Sequence, residues 1–145
     1  MVKNAPRQIL VAACAFALLW AVQAFAQVIK VPADILSGKN PLPLTDAVMA
    51  RGRTAYTENC VQCHGPMGKG DGPMAGMLKE PPADLSNGAN IGPLTDGEMF
   101  WVMTKGYPPA MPAFESKLTN QERWSLVHFL RDLSKTKPNT QPRKK

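Results

Sequence analysis

Between Gly65 and Pro93 the chain carries seven glycines and five prolines. Glycine loses the most backbone freedom on ordering and proline removes a backbone donor, so this stretch forms neither a long helix nor a sheet interior. Alone it would stay disordered. To join a compact domain it must wrap around something rigid with a large apolar surface. The residues just before it supply the means, because Cys60-Val61-Gln62-Cys63-His64 sets two thiols three positions apart and follows them at once with an imidazole. Thiols at that spacing add across the two vinyl groups of one porphyrin as thioethers, and the next histidine reaches the iron as an axial ligand. One haem c per chain is therefore expected, with Cys60 and Cys63 as covalent attachments and His64 as proximal iron ligand.

The 145 residues, 44% of them apolar, suffice for one compact domain and not for two. A CxxC pair also serves as a redox dithiol, but that usage sits between a strand and a helix, and no strand pattern flanks Cys60. A zinc module would need Cys60, Cys63, His64 and His128, and His128 lies far along the chain on a separate helical segment.

Residues 1–26 read as an export signal. Lys3 and Arg7 give a positive start, Ile9 to Val22 is almost wholly apolar, and Ala24-Phe25-Ala26 offers small residues where a signal peptidase cuts. A rival reading keeps the segment as a membrane anchor, since Ile9 to Ile29 is 21 residues long. Acylation at Cys14 is disfavoured, because only about five apolar residues precede it where a signal core needs 7 to 15. Export places the domain in the periplasm, on the oxidising side of the membrane, where Cys60 and Cys63 would otherwise oxidise.

The formal charge of +6 suggests nucleic acid as a partner until it is divided by segment. Lys3 and Arg7 belong to the signal, and Lys135, Lys137, Arg143, Lys144 and Lys145 to a tail without acids. Residues 27–134 hold ten basic and eleven acidic side chains, a net of −1. No nucleic-acid partner is expected. Residues 135–145 read as a basic flexible tail, able to steer encounters or simply solvated.

Residues 27–44, with Pro32, Pro41 and Pro43, read as an extended leading arm. Thr45 or Asp46 can cap a helix on which Ala47, Val48, Ala50, Ala55 and Tyr56 recur at helical spacing. Thr95 with Glu98 and Thr119 with Glu122 are capping boxes that open two more helices. The first should close at Gly106 in a left-handed turn, and the second carries Trp124, Leu126, Val127, Leu130 and Leu133 on one face.

A carrier haem needs a sixth ligand, and a thioether raises the potential. Of Met49, Met67, Met74, Met77, Met99, Met103 and Met111, most read as gap-filling side chains. Met111 stands apart because Pro109 and Pro112 stiffen its loop, so it is the expected distal iron ligand. His128, on a capped helix beside Trp124, reads as a packing or surface histidine.

Taken together, these motifs resemble a class I cytochrome c over about residues 45–134. They are Gly52 and Tyr56 before Cys60-Val61-Gln62-Cys63-His64-Gly65, then Gly68-Lys69-Gly70-Asp71-Gly72-Pro73, Pro81-Pro82-Ala83-Asp84-Leu85, Met111-Pro112-Ala113-Phe114 and a closing helix through Trp124 to Leu133. The resemblance implies an all-α fold, small, with helices and loops wrapped around one covalent haem. It implies that first and last helices cross near Gly52 with an aromatic such as Trp124 at the contact. It also implies that the non-ligating nitrogen of His64 donates to a backbone carbonyl, with Pro81 or Pro82 at the matching positions. Trp101 and Tyr107 are candidates to touch the haem edge, though helix burial explains Trp101 equally well.

The function this implies is one-electron transfer without substrate chemistry, so no enzyme activity of its own and no catalytic residues. The partners are a redox donor and acceptor, and the free chain would be monomeric. The chain is then a shuttle between exported or membrane partners. Alternatively it is the cytochrome subunit of a larger dehydrogenase or oxidase complex, with membrane association. A haem peroxidase is the competing enzyme reading and needs an open sixth site.

Overall fold

The computed structural model describes residues 31–36 and 38–135; the expected export signal at 1–26, with Cys14, and residues 136–145 of the expected basic tail lie outside them. The described elements are α1 (Ala33–Leu36), α2 (Asp46–Asn59), α3 (Val61–His64), a 3-10 turn (Ala75–Met77), α4 (Gly88–Ile91), α5 (Asp96–Lys105) and α6 (Asn120–Leu133). No strand forms among these residues, and Tyr107 and Met111 make an isolated bridge. The fold is all-α, as expected.

Each long helix starts where its local chemistry satisfies the free amides of a first turn. Thr45 caps α2 by accepting from the Val48 amide at 3.3 Å. Thr95 and Thr119 cap α5 and α6 through complete capping boxes, with Glu98 and Glu122 reaching back to the cap amides at 2.8 and 2.7 Å. Gly106 closes α5 with φ +74° and ψ −173°, a positive φ that lies outside the left-handed helical turn expected there.

α2 buries Val48, Gly52, Ala55 and Tyr56, positions three to four apart on one face, against α6. The two backbones meet at Gly52, where an added Cβ would collide with Ser125 O and lie 3.0 Å from Phe129 Cβ. The aromatic at this crossing is Phe129, packed on Tyr56 with ring centroids 5.1 Å apart, and not Trp124. Trp124, one residue before Ser125, points around the helix and stacks on Phe100 of α5 at 4.2 Å. Gly52→Ala should therefore destabilise the domain by about 1–3 kcal/mol, as overpacking does, which chemical denaturation will measure.

α5 and α6 are joined by a buried ion pair. Arg131, 5% exposed, donates to Asp96 Oδ1 through Nε at 3.0 Å and Nη2 at 2.9 Å, and to Ile91 O at 3.0 Å and Leu94 O. With these acceptors in place the pair is satisfied; with Arg131 gone, Asp96 is a buried charge alone. Arg131→Leu should cost about 3–5 kcal/mol, whereas pairing it with Asp96→Leu should recover most of that loss. Equal loss in the single and double variants, measured by denaturant unfolding, contradicts this assignment.

The leading segment differs from an extended arm. It contains the α1 turn and is fastened to α5 and α6: Thr95 Oγ1 donates to Leu36 O at 2.9 Å, Asn40 Nδ2 to Trp124 O at 2.8 Å and His128 Nε2 to Leu42 O at 2.9 Å. Gly97 has no room for a Cβ because Ile35 O occupies its place.

Candidate haem site

The chain passes from α2 to α3 through the single turn residue Cys60, whose amide donates to Tyr56 O at 2.8 Å and whose carbonyl accepts from the His64 amide at 2.8 Å. Helical spacing puts Cys60, Cys63 and His64 on one face, and all three line a single cavity. The Gly-rich loop folds back over α3. Amides of Gly70, Gly72 and Met74 donate to the carbonyls of His64, Cys63 and Gln62 at 2.9, 3.1 and 2.8 Å, closing acceptors that a helix end leaves open. A Cβ on Gly72 would collide with Gln62 O. Part of the glycine density is thus explained by the attachment helix itself.

The same loop then reaches the imidazole. The Leu85 amide donates to Gly68 O at 2.6 Å, which fixes the register and turns the Ala83 carbonyl toward the ring. His64 Nδ1 lies 3.0 Å from Ala83 O. A carbonyl only accepts, so Nδ1 carries the proton and Nε2 keeps its lone pair. The carbonyl belongs to Ala83 and not to Pro81 or Pro82, which line the cavity instead. Burial lowers the His64 ring from its ordinary imidazole value, opposed by the bond to Ala83, which favours the neutral form that can bind a metal.

Burial, and after it the neighbouring Cys63 thiol, push the Cys60 thiol up to about 12. A redox dithiol needs a lowered thiol, so the electrostatics disfavour that use of the pair. The zinc reading fails on position: His128 is engaged with the leading segment, and no group of three or more His, Cys, Asp or Glu among the described residues could hold a metal ion.

The cavity measures about 430 Å³ and is walled by Met99, Val102 and Met103 of α5 and Leu126 and Leu130 of α6. That volume is in the range of cofactor sites, roughly 300–1,000 Å³. An apolar slot holding two thiols, a neutral imidazole and thioethers is a donor set suited to haem iron and its vinyl groups. The residues fit the group.

Met111 lines this cavity half-buried, from a loop pinned by reciprocal bonds with Tyr107 of 2.8 and 2.9 Å. Met99 and Met103 also line it but are 3% and 6% exposed, packed in the core. Met49 packs against the core, while Met67, Met74 and Met77 are exposed. Tyr107 lines the mouth and is exposed; Trp101 does not line the cavity, and Lys105 Nζ sits 5.5 Å from its ring centroid. The wall residues Ile91 and Leu94, whose carbonyls Arg131 holds, are not evident from sequence, because isolated aliphatics in a Gly/Pro stretch carry no periodic pattern.

The family model described as cytochrome c oxidase, cbb3-type, subunit III matches residues 47–130. Among solved structures, the chain is similar to a component of the Kuenenia stuttgartiensis reducing HAO-like protein complex Kustc0457/Kustc0458. The identity is 29% over 66% of this chain and 49% of that one, with a TM-score of 0.55. The chain thus spans about half the length of that relative. It is also similar in fold to the c-type cytochrome KustC0563, at 24% identity over 57% of this chain and 95% of the other, with a TM-score of 0.50. No curated protein matches the chain. Family model and neighbours agree with the CxxCH helix and its apolar cavity: the chain belongs to the cbb3-type cytochrome c oxidase subunit III family of c-type cytochrome domains, whose cofactor is covalently bound haem c.

Proposed function

We propose that the chain is a one-electron carrier in which Cys60 and Cys63 hold haem as thioethers and His64 and Met111 take the two axial positions. One observation carries this reading: four side chains from two distant parts of the sequence line one apolar cavity, and His64 already has Nδ1 engaged and Nε2 free. When bound, haem supplies an iron that exchanges one electron between its ferric and ferrous states. The residues do the rest. Ala83 O fixes the ring plane of His64, the apolar walls would shield the group from water, and the braced loop would hold the Met111 thioether at the cavity for it. Met99 and Met103 are weaker candidates for the sixth position, because drawing either to the iron would open the core around α5.

The domain boundaries fit this role: an export signal or anchor at 1–26, a leading segment at 27–44, the haem domain at 45–134 and a basic tail at 135–145, with a periplasmic location. Among the described residues no helix is long and apolar enough to cross a membrane. A second reading, a subunit within a larger redox complex, is favoured by the neighbour that is part of a protein complex and of which the match covers 49%. Donor and acceptor would then be sister subunits.

Potentiometric titration of the haem-loaded protein tests the carrier reading. A reversible one-electron Nernst curve with a positive midpoint is expected. An irreversible response, or fast turnover of peroxide by the unmodified protein, contradicts it.

A further inference from the structure

We infer that Gly106 is the positioning residue for the sixth ligand: the missing side chain at this residue lets the loop from Tyr107 to Phe114 fold back and hold Met111 at the cavity. The inference rests on the reading of Met111 as that ligand.

The loop begins and ends on the same helix. The Gly106 amide donates to Val102 O at 2.8 Å, and after the loop the Phe114 amide donates to Met103 O at 3.0 Å. Val102 and Met103 are themselves cavity walls, so both stitches register the loop against the haem slot. Between them Tyr107 and Met111 exchange bonds, which narrows the loop at its base.

The chain can close this way only past Gly106. Its φ of +74° with ψ of −173° belongs to a region that residues with a Cβ hardly enter. A Cβ there would lie 2.5 Å from Met111 O, 2.7 Å from Ala113 N and 2.7 Å from Pro112 C. All three are backbone atoms of the ligand segment, so no rotamer change relieves the contact. Either the segment carrying Met111 moves outward or Gly106 changes conformation and the stitch opens. Both displace Met111, and neither touches Cys60, Cys63 or His64. Other positive-φ glycines, Gly65, Gly68 and Gly70, serve the histidine side. Gly76 offers a control, since a Cβ added there would meet nothing within 4 Å.

The test is Gly106→Ala in the haem-loaded full chain, beside Met111→Ala, Gly76→Ala and Gly52→Ala. Gly106→Ala should retain covalent haem and helical circular dichroism. It should lose the red sulfur-to-iron charge-transfer band of the oxidised protein and shift its midpoint potential down toward that of Met111→Ala. Gly76→Ala should change nothing, and Gly52→Ala should lose stability while keeping the band. Retention of band and potential in Gly106→Ala, with both lost in Met111→Ala, overturns the inference alone. No change in Met111→Ala overturns the ligand assignment, and the inference with it. If Gly106→Ala yields no haem-loaded protein, Tyr107→Pro removes the amide from which Met111 O accepts. Loss of the band there supports the inference, and its retention overturns it.

Discussion

Replacing Cys60 and Cys63 together by alanine is expected to abolish stable haem retention and, with it, the folded domain. Acid extraction should free any haem from the variant, whereas the pyridine haemochrome of the native chain should stay with the protein. The size of the effect follows from the cavity. An empty space of about 430 Å³, taken at about 24 cal/mol per Å³ of residual void, corresponds to roughly 10 kcal/mol before the walls relax. That is comparable to the whole stability of a small domain, about 5–15 kcal/mol. The variant should show weak near-ultraviolet dichroism and non-cooperative unfolding. A double variant that keeps haem through acid extraction, or melts cooperatively like the native chain, contradicts the assignment of both thiols.

Met111→Ala is expected to leave covalent haem in place and to change what the iron does. The thioether favours the reduced ion, so the midpoint should fall by more than about 100 mV, a fraction of the roughly 0.8 V that axial ligands span. The vacated position should take up cyanide or azide readily, and slow peroxide turnover should appear. These outcomes separate carrier from enzyme, because the competing peroxidase reading needs an open site in the native chain. An unchanged midpoint and unchanged ligand uptake in the variant would move the assignment to Met99 or Met103, which share the cavity.

The parts of this fold legible in the sequence are those fixed by short-range chemistry. Thr95 with Glu98 and Thr119 with Glu122 act within one turn, and both boxes form. Cys60, Cys63 and His64 share a face because three- and four-residue spacing does so on any helix. What depended on tertiary register was not legible. Ala83 rather than Pro81 or Pro82 meets His64 because a bond between Leu85 and Gly68 sets the loop, and a backbone carbonyl leaves no mark in residue type. Phe129 rather than Trp124 packs at the Gly52 crossing, since the phase of α6 decides which aromatic faces α2. The α1 turn carries no periodic pattern of its own, and the leading segment around it is held by Thr95, Trp124 and His128 from far along the chain. Arg131 and Asp96 are 35 positions apart, and each alone reads as an ordinary surface charge.

The central claim is that His64 and Met111 both hold the iron, so that the chain relays electrons and does not transform a substrate. Near-infrared magnetic circular dichroism of the oxidised, haem-loaded protein tests it most directly. A low-spin ferric haem with the charge-transfer energy of one histidine and one thioether ligand is the expected result. A high-spin signal, or the low-spin signature of two nitrogen ligands, would contradict it.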